Sequence, residues 1–140
     1  MLQLAICLRA LQLYSHHAHN LCARVVFHQD HEFFADVYGF AETSYDDVIE
    51  RIIGTQGESA SLELKGILKG VYAKLDKFPD VGVKENKIFY AAILDQKKYI
   101  LDELETLCQS PELSEGTKQM LGNIADKMEV FVYKIQQRLK

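Results

Sequence analysis

The sequence lacks tryptophan, has only two prolines, and has three cysteines that form no Cys-x-x-Cys pair. Scattered cysteines in odd number argue against a disulfide scaffold and favour a reducing compartment, so we expect a cytoplasmic protein. No apolar run reaches the eighteen or so residues that a membrane span requires. Neither GxSxG nor a Walker pattern occurs, which leaves serine-nucleophile and phosphate-loop chemistry without support.

Basic residues are fewer than acidic residues. Sixteen Lys and Arg residues stand against twenty Asp and Glu residues, which gives a net charge of −4 and a pI near 5.7. This balance is wrong for a domain whose main task is to hold phosphate backbones. The length of 140 residues is that of one domain, and we expect residues 1–140 to form it.

Apolar residues recur at three- and four-residue steps, and no segment alternates with period two, so the chain is predicted to be all-α. The predicted helical segments are about 2–27, 31–53, 59–77, 84–108 and 113–138. Breaks are predicted at 28–30, where Asp30 would cap the second helix, at Gly54–Gly57, at 78–82 and at Ser110-Pro111. Four long helices with a short one between the second and third predict a four-helix bundle with a long crossover, the ferritin-like arrangement. A plain up-and-down bundle shares most of these features.

All five histidines lie within residues 16–31, and histidine is the commonest nitrogen ligand of transition metals. No glutamate precedes a histidine by three residues, so the usual di-iron site within one ferritin-like subunit is absent. A structural zinc site is an alternative, because several of these residues lie three apart on one helical face. The candidate zinc ligands are His16, His19, Cys22, His28 and His31.

Two carboxylates on the second predicted helix are candidates to join the histidines. Asp46 and Glu50 are four residues apart and share one helical face. Asp46 is fifteen residues from His31, about 22 Å along a helix, whereas metal–ligand bonds are about 2 Å. These residues could therefore share an ion with His19 and His31 only if a second, antiparallel copy supplied the carboxylates across a two-fold axis.

The segment from His19 to Arg51 resembles the signature of the Dps group, miniature ferritins of the ferritin-like superfamily. The intervals of that signature all match without a gap, and the matching residues are His19, Phe27, His31-Glu32, Tyr38, Asp46 and Glu50-Arg51. Thr117 and Glu129, twelve apart in the last helix, resemble the final helix of the family more weakly. The firm resemblance covers about 33 residues.

The resemblance implies a cage of twelve four-helix subunits with ferroxidase centres at two-fold interfaces. Fe(II) would be bound there and oxidised by hydrogen peroxide or O₂, ferric iron would be sequestered, and oxidative damage would be limited. The implied ligands are His19 and His31 of one subunit with Asp46 and Glu50 of its neighbour, and zinc is a possible competitor. Family members that bind DNA commonly use a lysine-rich tail, which this chain does not show, so we expect weak or no DNA binding.

The sequence also departs from the family pattern. The acid that the family has four residues after the second histidine is replaced by Ala35, and the tryptophan after the first histidine is replaced by Asn20. The glycine-containing turn is replaced by residues 22–26, which predicts that the first helix runs further. These departures favour a second reading, a non-catalytic helical assembly protein with a degenerate metal site.

Overall fold

A computed structural model describes residues 1–80 and 86–140, and within these ranges it contains helices and no strand. The all-α prediction is therefore confirmed. The α-helices are α1 (Leu2–Leu21), α2 (Phe27–Gln56), α3 (Leu64–Leu75), α4 (Asn86–Cys108) and α5 (Glu115–Leu139), with a 3₁₀ turn at Gly57–Ser59. None of the described helices combines the length and the apolar character needed to cross a bilayer.

Most of the predicted breaks lie close to the observed helix ends. Gly57, with a φ of 57°, ends α2, and the Ser114 side chain caps α5 by accepting a hydrogen bond from the Thr117 N–H at 3.2 Å. The short helix begins later than predicted, at Leu64. Of the break predicted at 78–82, only residues 78–80 lie within the described ranges, and they are not helical. Residues 84 and 85, predicted to begin the third long helix, lie outside these ranges.

The predicted position of the turn between α1 and α2, at residues 28–30, is wrong. The first helix ends at Leu21 and not near residue 27, and α2 begins at Phe27 and not at residue 31. Asp30 consequently lies inside α2 and does not cap it. The turn contains no glycine or proline; Arg24 adopts a φ of 82°, in the left-handed region that non-glycine residues rarely enter.

A residue from a distant part of the chain explains why the turn forms here. The Asn86 side chain accepts a hydrogen bond from the Ala23 N–H at 3.1 Å and donates one to the Ala23 carbonyl at 2.9 Å. Both backbone groups of Ala23 are thus satisfied by a side chain 63 residues away. The spacing of apolar residues along a helix contains no information about such a distant contact. The helix predicted from that spacing therefore extends through the turn.

Contacts between α1 and α2 show that the two helices form an antiparallel hairpin. Near one end of the hairpin, the Arg9 guanidinium lies 3.8 Å from the ring centroid of Tyr45. Near the other end, His19 stacks on His31. The residue number of the contact on α2 decreases as the residue number on α1 increases, which is the pattern of antiparallel helices.

The directions of α4 and α5 follow from side-chain contacts with α2. Arg138 contacts Asp30, and Arg51 donates to the Thr117 hydroxyl at 3.2 Å, so α5 runs antiparallel to α2. Tyr90, near the start of α4, also bonds to Asp30, so α4 begins at the same end as α2 and runs in the same direction. Two parallel helices need a long connection, and that connection contains α3.

Within the part of the chain that the structure describes, the short helix α3 packs mainly against α1. Ile67 and Val71 are buried against Ile6 and Ala10 in a small cluster separate from the main core. At Gly70 the backbone approaches α1 closely, because a Cβ atom placed there would lie 2.8 Å from the Ile6 Cδ1 atom. The absence of a side chain at Gly70 therefore allows α3 to pack closely against α1.

The main core contains side chains from all four long helices, and a polar side chain is buried beside it. The largest fully buried side chains include Leu8, Phe34, Phe89, Leu121 and Met128. The amide of Gln96 on α4 is buried, and within residues 1–80 and 86–140 neither its nitrogen nor its oxygen has a hydrogen-bond partner. An unpaired buried amide costs free energy, so Gln96 weakens the bundle.

Replacing Gln96 by methionine, which has a similar shape and no amide, should therefore raise the free energy of unfolding by about 1–2 kcal/mol. Urea denaturation at one fixed protein concentration measures the change. The matched control is Gln119→Met on the exposed face of α5, which should change stability by less than about 0.5 kcal/mol. A loss of stability in Gln96→Met would mean that the amide is satisfied in solution.

Candidate metal centre

The two histidines of the predicted site lie together where the α1–α2 hairpin turns. His19 is in the last turn of α1 and His31 is in the second turn of α2. Their rings stack with centroids 3.6 Å apart and an interplanar angle of 27°. Both side chains are half-buried. The turn at 22–26 thus brings together two imidazoles that are twelve residues apart in the sequence.

Each imidazole is fixed by the backbone of the other residue. The Nδ1 atom of His19 lies 2.8 Å from the His31 carbonyl oxygen, and the Nδ1 atom of His31 lies 2.9 Å from the His19 carbonyl oxygen. A carbonyl only accepts hydrogen bonds, so both Nδ1 atoms carry the proton and donate it. In the neutral rings both Nε2 atoms therefore keep their lone pairs, the state that metal binding requires.

Aromatic side chains enclose the pair. Phe27 stacks on His31 with centroids 4.9 Å apart, and Tyr38 meets His19 edge-on at 5.3 Å. His16, which is exposed, stacks on Tyr38 at 4.3 Å. Tyr38 is therefore the tyrosine that lies against the histidine pair. Tyr14, by contrast, donates a hydrogen bond to the Pro79 carbonyl, and burial together with the nearby Asp80 raises the pKa of Tyr14 to about 12.

The two predicted carboxylates do not reach the histidines within one chain. Asp46 and Glu50 are exposed, and both lie on the same continuous helix as His31. The fifteen-residue separation of His31 and Asp46 therefore amounts to about 22 Å. Within residues 1–80 and 86–140 of a single copy, no three His, Cys, Asp or Glu side chains converge to hold a metal. A single chain thus has the two imidazoles in one place and the two carboxylates in another.

Among the remaining candidates for a zinc site, Cys22 lies beside the histidine pair. Cys22 is buried, its Sγ atom donates to the His19 carbonyl at 3.3 Å, and it lies 3.7 Å from the His31 Nδ1 atom. Burial, with a smaller effect of Asp30, raises the pKa of the Cys22 thiol, which disfavours the thiolate that binds metals. His28 is exposed and meets Phe27 edge-on. Cys7, Cys22 and Cys108 are all free thiols.

The positions at which this chain departs from the family pattern lie close to the histidine pair. Ala35 is half-buried on α2, one turn after His31, and provides no carboxylate. The next residue, Asp36, is exposed and lies about 100° further around the helix. Asn20 is exposed at the end of α1. The two imidazoles of the predicted site are thus close together without the additional acid.

A buried carboxylate next to His31 holds this end of the bundle together. Asp30 is fully buried and forms a salt bridge with Arg138 of α5, in which the Nε and Nη2 atoms donate at 3.1 and 3.2 Å. The Tyr90 hydroxyl donates to the same carboxylate at 2.7 Å, and the Asn86 amide donates to it as well. Asn86 also holds the backbone of Ala23. The network therefore fixes the hairpin turn relative to α4 and α5.

These donors determine the ionisation of Asp30. Burial alone would raise the pKa of Asp30, but the hydrogen bonds from Arg138, Tyr90 and Asn86 outweigh burial and hold it below its ordinary value of 3.8. The bond to Asp30 correspondingly raises the pKa of Arg138. Burial, with the bond to Asp30, raises the pKa of Tyr90. At neutral pH the centre of the network is a buried carboxylate paired with a guanidinium.

Sequence reasoning did not find this network. It assigned Asp30 to a helix cap, an interpretation that needs only neighbouring residues. The partners lie 56 to 108 positions further along the chain. The one available signal was an acidic residue at a position that α2 buries, because a buried acid requires a cation or several donors.

A scan against models of protein families finds no match for this chain, and a search of curated proteins finds none either.

The Asp30→Asn substitution should lower the free energy of unfolding by about 3 kcal/mol at neutral pH, because Arg138 loses its buried partner. Since the folded-state pKa of Asp30 lies below 3.8, its stabilising contribution is complete above that pH and is lost as the pH falls through the folded-state value. The stability gap between wild type and Asp30→Asn should therefore close in acid. Denaturant unfolding between neutral pH and pH 3 measures both effects.

The control for this experiment is Asp36→Asn, which changes an exposed acid on the same helix. Asp36→Asn should leave stability within about 0.5 kcal/mol of wild type. If the gap between wild type and Asp30→Asn stays constant down to acid pH, the buried charge does not stabilise this end of the bundle.

Proposed function

We propose that this chain is a Dps-like, ferritin-fold protein that binds and oxidises Fe(II) at sites shared by two copies. The observation that carries the proposal is the stacked pair of His19 and His31, whose Nδ1 protons are both donated to backbone carbonyls. The order of helix directions also supports it. A single long connection between two parallel helices is typical of ferritin-like bundles.

In this proposal each half of the site has a separate role. The Nε2 atoms of His19 and His31 bind the incoming Fe(II), and the hydrogen bonds at Nδ1 keep the rings in the correct tautomer. Asp46 and Glu50 of a second copy supply the oxygen ligands, with Glu50 as the stronger and Asp46 as the weaker one. A mixed nitrogen and oxygen ligand set suits Fe(II) and leaves positions open for an oxidant.

Iron is the substrate of the reaction. Each Fe(II) gives up one electron, and a peroxide molecule accepts two as its O–O bond breaks. The product Fe(III) is a harder ion that prefers oxygen ligands, so it leaves the histidines readily and collects as ferric mineral. Removal of Fe(II) and peroxide together would protect the cell from oxidative damage.

The shared site requires an assembly, and the resemblance implies twelve subunits arranged as two-fold dimers. The chain has an excess of acidic over basic residues, so we propose weak or no association with DNA. Three free thiols fit the reducing conditions of a cytoplasm.

A second candidate function is favoured by Ala35. Since a methyl group occupies the place of the family's additional acid, the site has fewer oxygen ligands for a second iron. The chain would then be an assembly protein that keeps the shell and lacks effective oxidation. Measurement of iron oxidation separates the two candidates.

Aerobic addition of Fe(II) to the wild-type protein, with and without hydrogen peroxide, should give ferric-oxo absorbance faster than buffer does. Glu50→Ala should slow this at least about tenfold, because the strongest oxygen ligand is lost. Glu105→Ala, an exposed acid on α4, should react like wild type. Zn²⁺ should inhibit, since it competes for the same ligands. If wild type and Glu50→Ala both follow buffer, the chain is not a ferroxidase.

The sharing of the site between copies has a separate test. His31→Ala and Glu50→Ala alone should each oxidise iron at least about tenfold more slowly than wild type, since each removes one ligand from every site. Co-expressed in equal amounts, they should recover about a quarter of wild-type activity, because half of the dimers are mixed and each mixed dimer has one intact site of two. Circular dichroism checks that both variants fold. Without any recovery, the two halves do not meet across a dimer.

A further inference from the structure

A cleft lies between α1, the end of α3 and the residues that follow α3. Its volume is about 400 Å³, within the range of roughly 300–1,000 Å³ that small-molecule pockets occupy. Most of its lining residues are aromatic or aliphatic, and the aromatic ones include Tyr14, Tyr72 and Phe78. We call it the tyrosine cleft. Its size and its apolar lining are those of a ligand site.

Contacts of Tyr14 hold the inner wall of the cleft in place. The Tyr14 hydroxyl donates a hydrogen bond to the Pro79 carbonyl at 3.3 Å. The Tyr14 ring is buried and meets the rings of Phe78 and Phe89 edge-on, with centroids 6.1 Å apart in both pairs. The residues that follow α3 are thus fixed against α1 and α4. The cleft is therefore formed without a ligand.

Large apolar side chains of the cleft are open to solvent. Tyr72 on α3 is 71% exposed, and Leu13 on α1 is 41% exposed. An aromatic side chain in water gains free energy when an apolar group covers it. A ligand that lies across the cleft would cover both side chains.

The charge of the cleft is negative. Asp76 and Asp80 both line it and are both exposed. Among the residues that the structure describes, no lysine or arginine lines the cleft. The nearest lysines in the sequence, Lys74 and Lys77, lie over an aromatic ring of α4, with 5.3 and 4.8 Å from each Nζ atom to its centroid. The two carboxylates therefore favour a cationic ligand.

We propose that the tyrosine cleft binds a small organic cation, an amine that carries an aromatic or alkyl group. The ammonium group pairs with the carboxylates of Asp76 and Asp80, and the apolar part packs against Tyr14, Tyr72 and Phe78. Aromatic faces attract cations as well as apolar groups, so these rings contribute to both parts of the recognition. A neutral ligand of the same shape gains only the apolar contacts, and an anion is repelled by the carboxylates.

This cleft is separate from the histidine pair. His17 lines the cleft, and His19, two residues further along α1, lies about 200° around the helix from it. The cleft and the histidine pair therefore lie on opposite faces of α1. Amine binding goes beyond the proposed iron chemistry and does not depend on it, so loss of one leaves the other in place.

The test is a calorimetric titration of the full-length chain with three probes of matched shape. Phenethylamine is the cation, phenethyl alcohol is the neutral analogue and hydrocinnamate is the anion. Phenethylamine should bind with a Kd of about 1 mM or tighter. Phenethyl alcohol should bind about fivefold more weakly, because it forms no ion pair. Hydrocinnamate should show no measurable binding.

Two sets of substitutions separate the charge of the cleft from its apolar wall. Asp76→Asn combined with Asp80→Asn should weaken phenethylamine binding about fivefold and leave phenethyl alcohol within about twofold of wild type. Tyr72→Ala keeps a residue that favours helix and should weaken both probes about fivefold, because both lose the aromatic wall. Circular dichroism checks that the variants fold.

The matched control combines Asp36→Asn and Asp126→Asn, which remove two exposed acids outside the cleft and should leave phenethylamine binding unchanged. Equal affinities of wild type for the amine and the alcohol overturn the proposal, because the carboxylates then select nothing. An equal loss of amine binding in the control also overturns it, because net charge then explains the effect. No binding of phenethylamine up to about 10 mM overturns the site itself.

Discussion

The buried carboxylate of Asp30 is the constraint on which this end of the molecule depends. An uncompensated charge in a protein interior costs several kcal/mol, so Asp30 can be buried only if its donors arrive together. Those donors belong to two other helices, at Asn86 and Tyr90 of α4 and at Arg138 of α5. The requirement fixes where α4 begins and where α5 ends. Because His31 is the next residue, the same requirement fixes the register of the histidine pair.

The distance between the histidine pair and the two carboxylates follows from the shape of α2. A continuous helix of thirty residues cannot fold back, so residues fifteen positions apart on it stay about 22 Å apart. The hairpin turn brings His19 and His31 together because these residues lie on different helices. It cannot bring Asp46 and Glu50 to His31, because all three lie on α2. A site built from all four residues therefore needs two chains.

The sequence was sufficient for features that depend on near neighbours. Helical spacing predicted the five helical segments, and Gly57 marked the end of α2. The resemblance grouped His19 with His31, and the fold places their rings in contact. The sequence was insufficient for features that depend on distant partners. The turn at residues 22–26 is held by Asn86, and Asp30 is held by Arg138, so neither could be inferred from local pattern. Whether Asp46 and Glu50 join the histidines depends on a second copy, which no single chain contains.

The hydrogen bonds of the two imidazoles run to main-chain oxygens and not to side chains. In many metalloproteins a carboxylate orients the ligating ring, and a single mutation of that carboxylate can misorient it. Here the orienting groups are present whatever amino acids occupy the neighbouring positions. Mutational drift around the pair should thus be tolerated widely, whereas a change that shifts the hairpin itself would turn both rings at once. The orientation of the two rings is therefore most sensitive to substitutions that move the backbone of the hairpin.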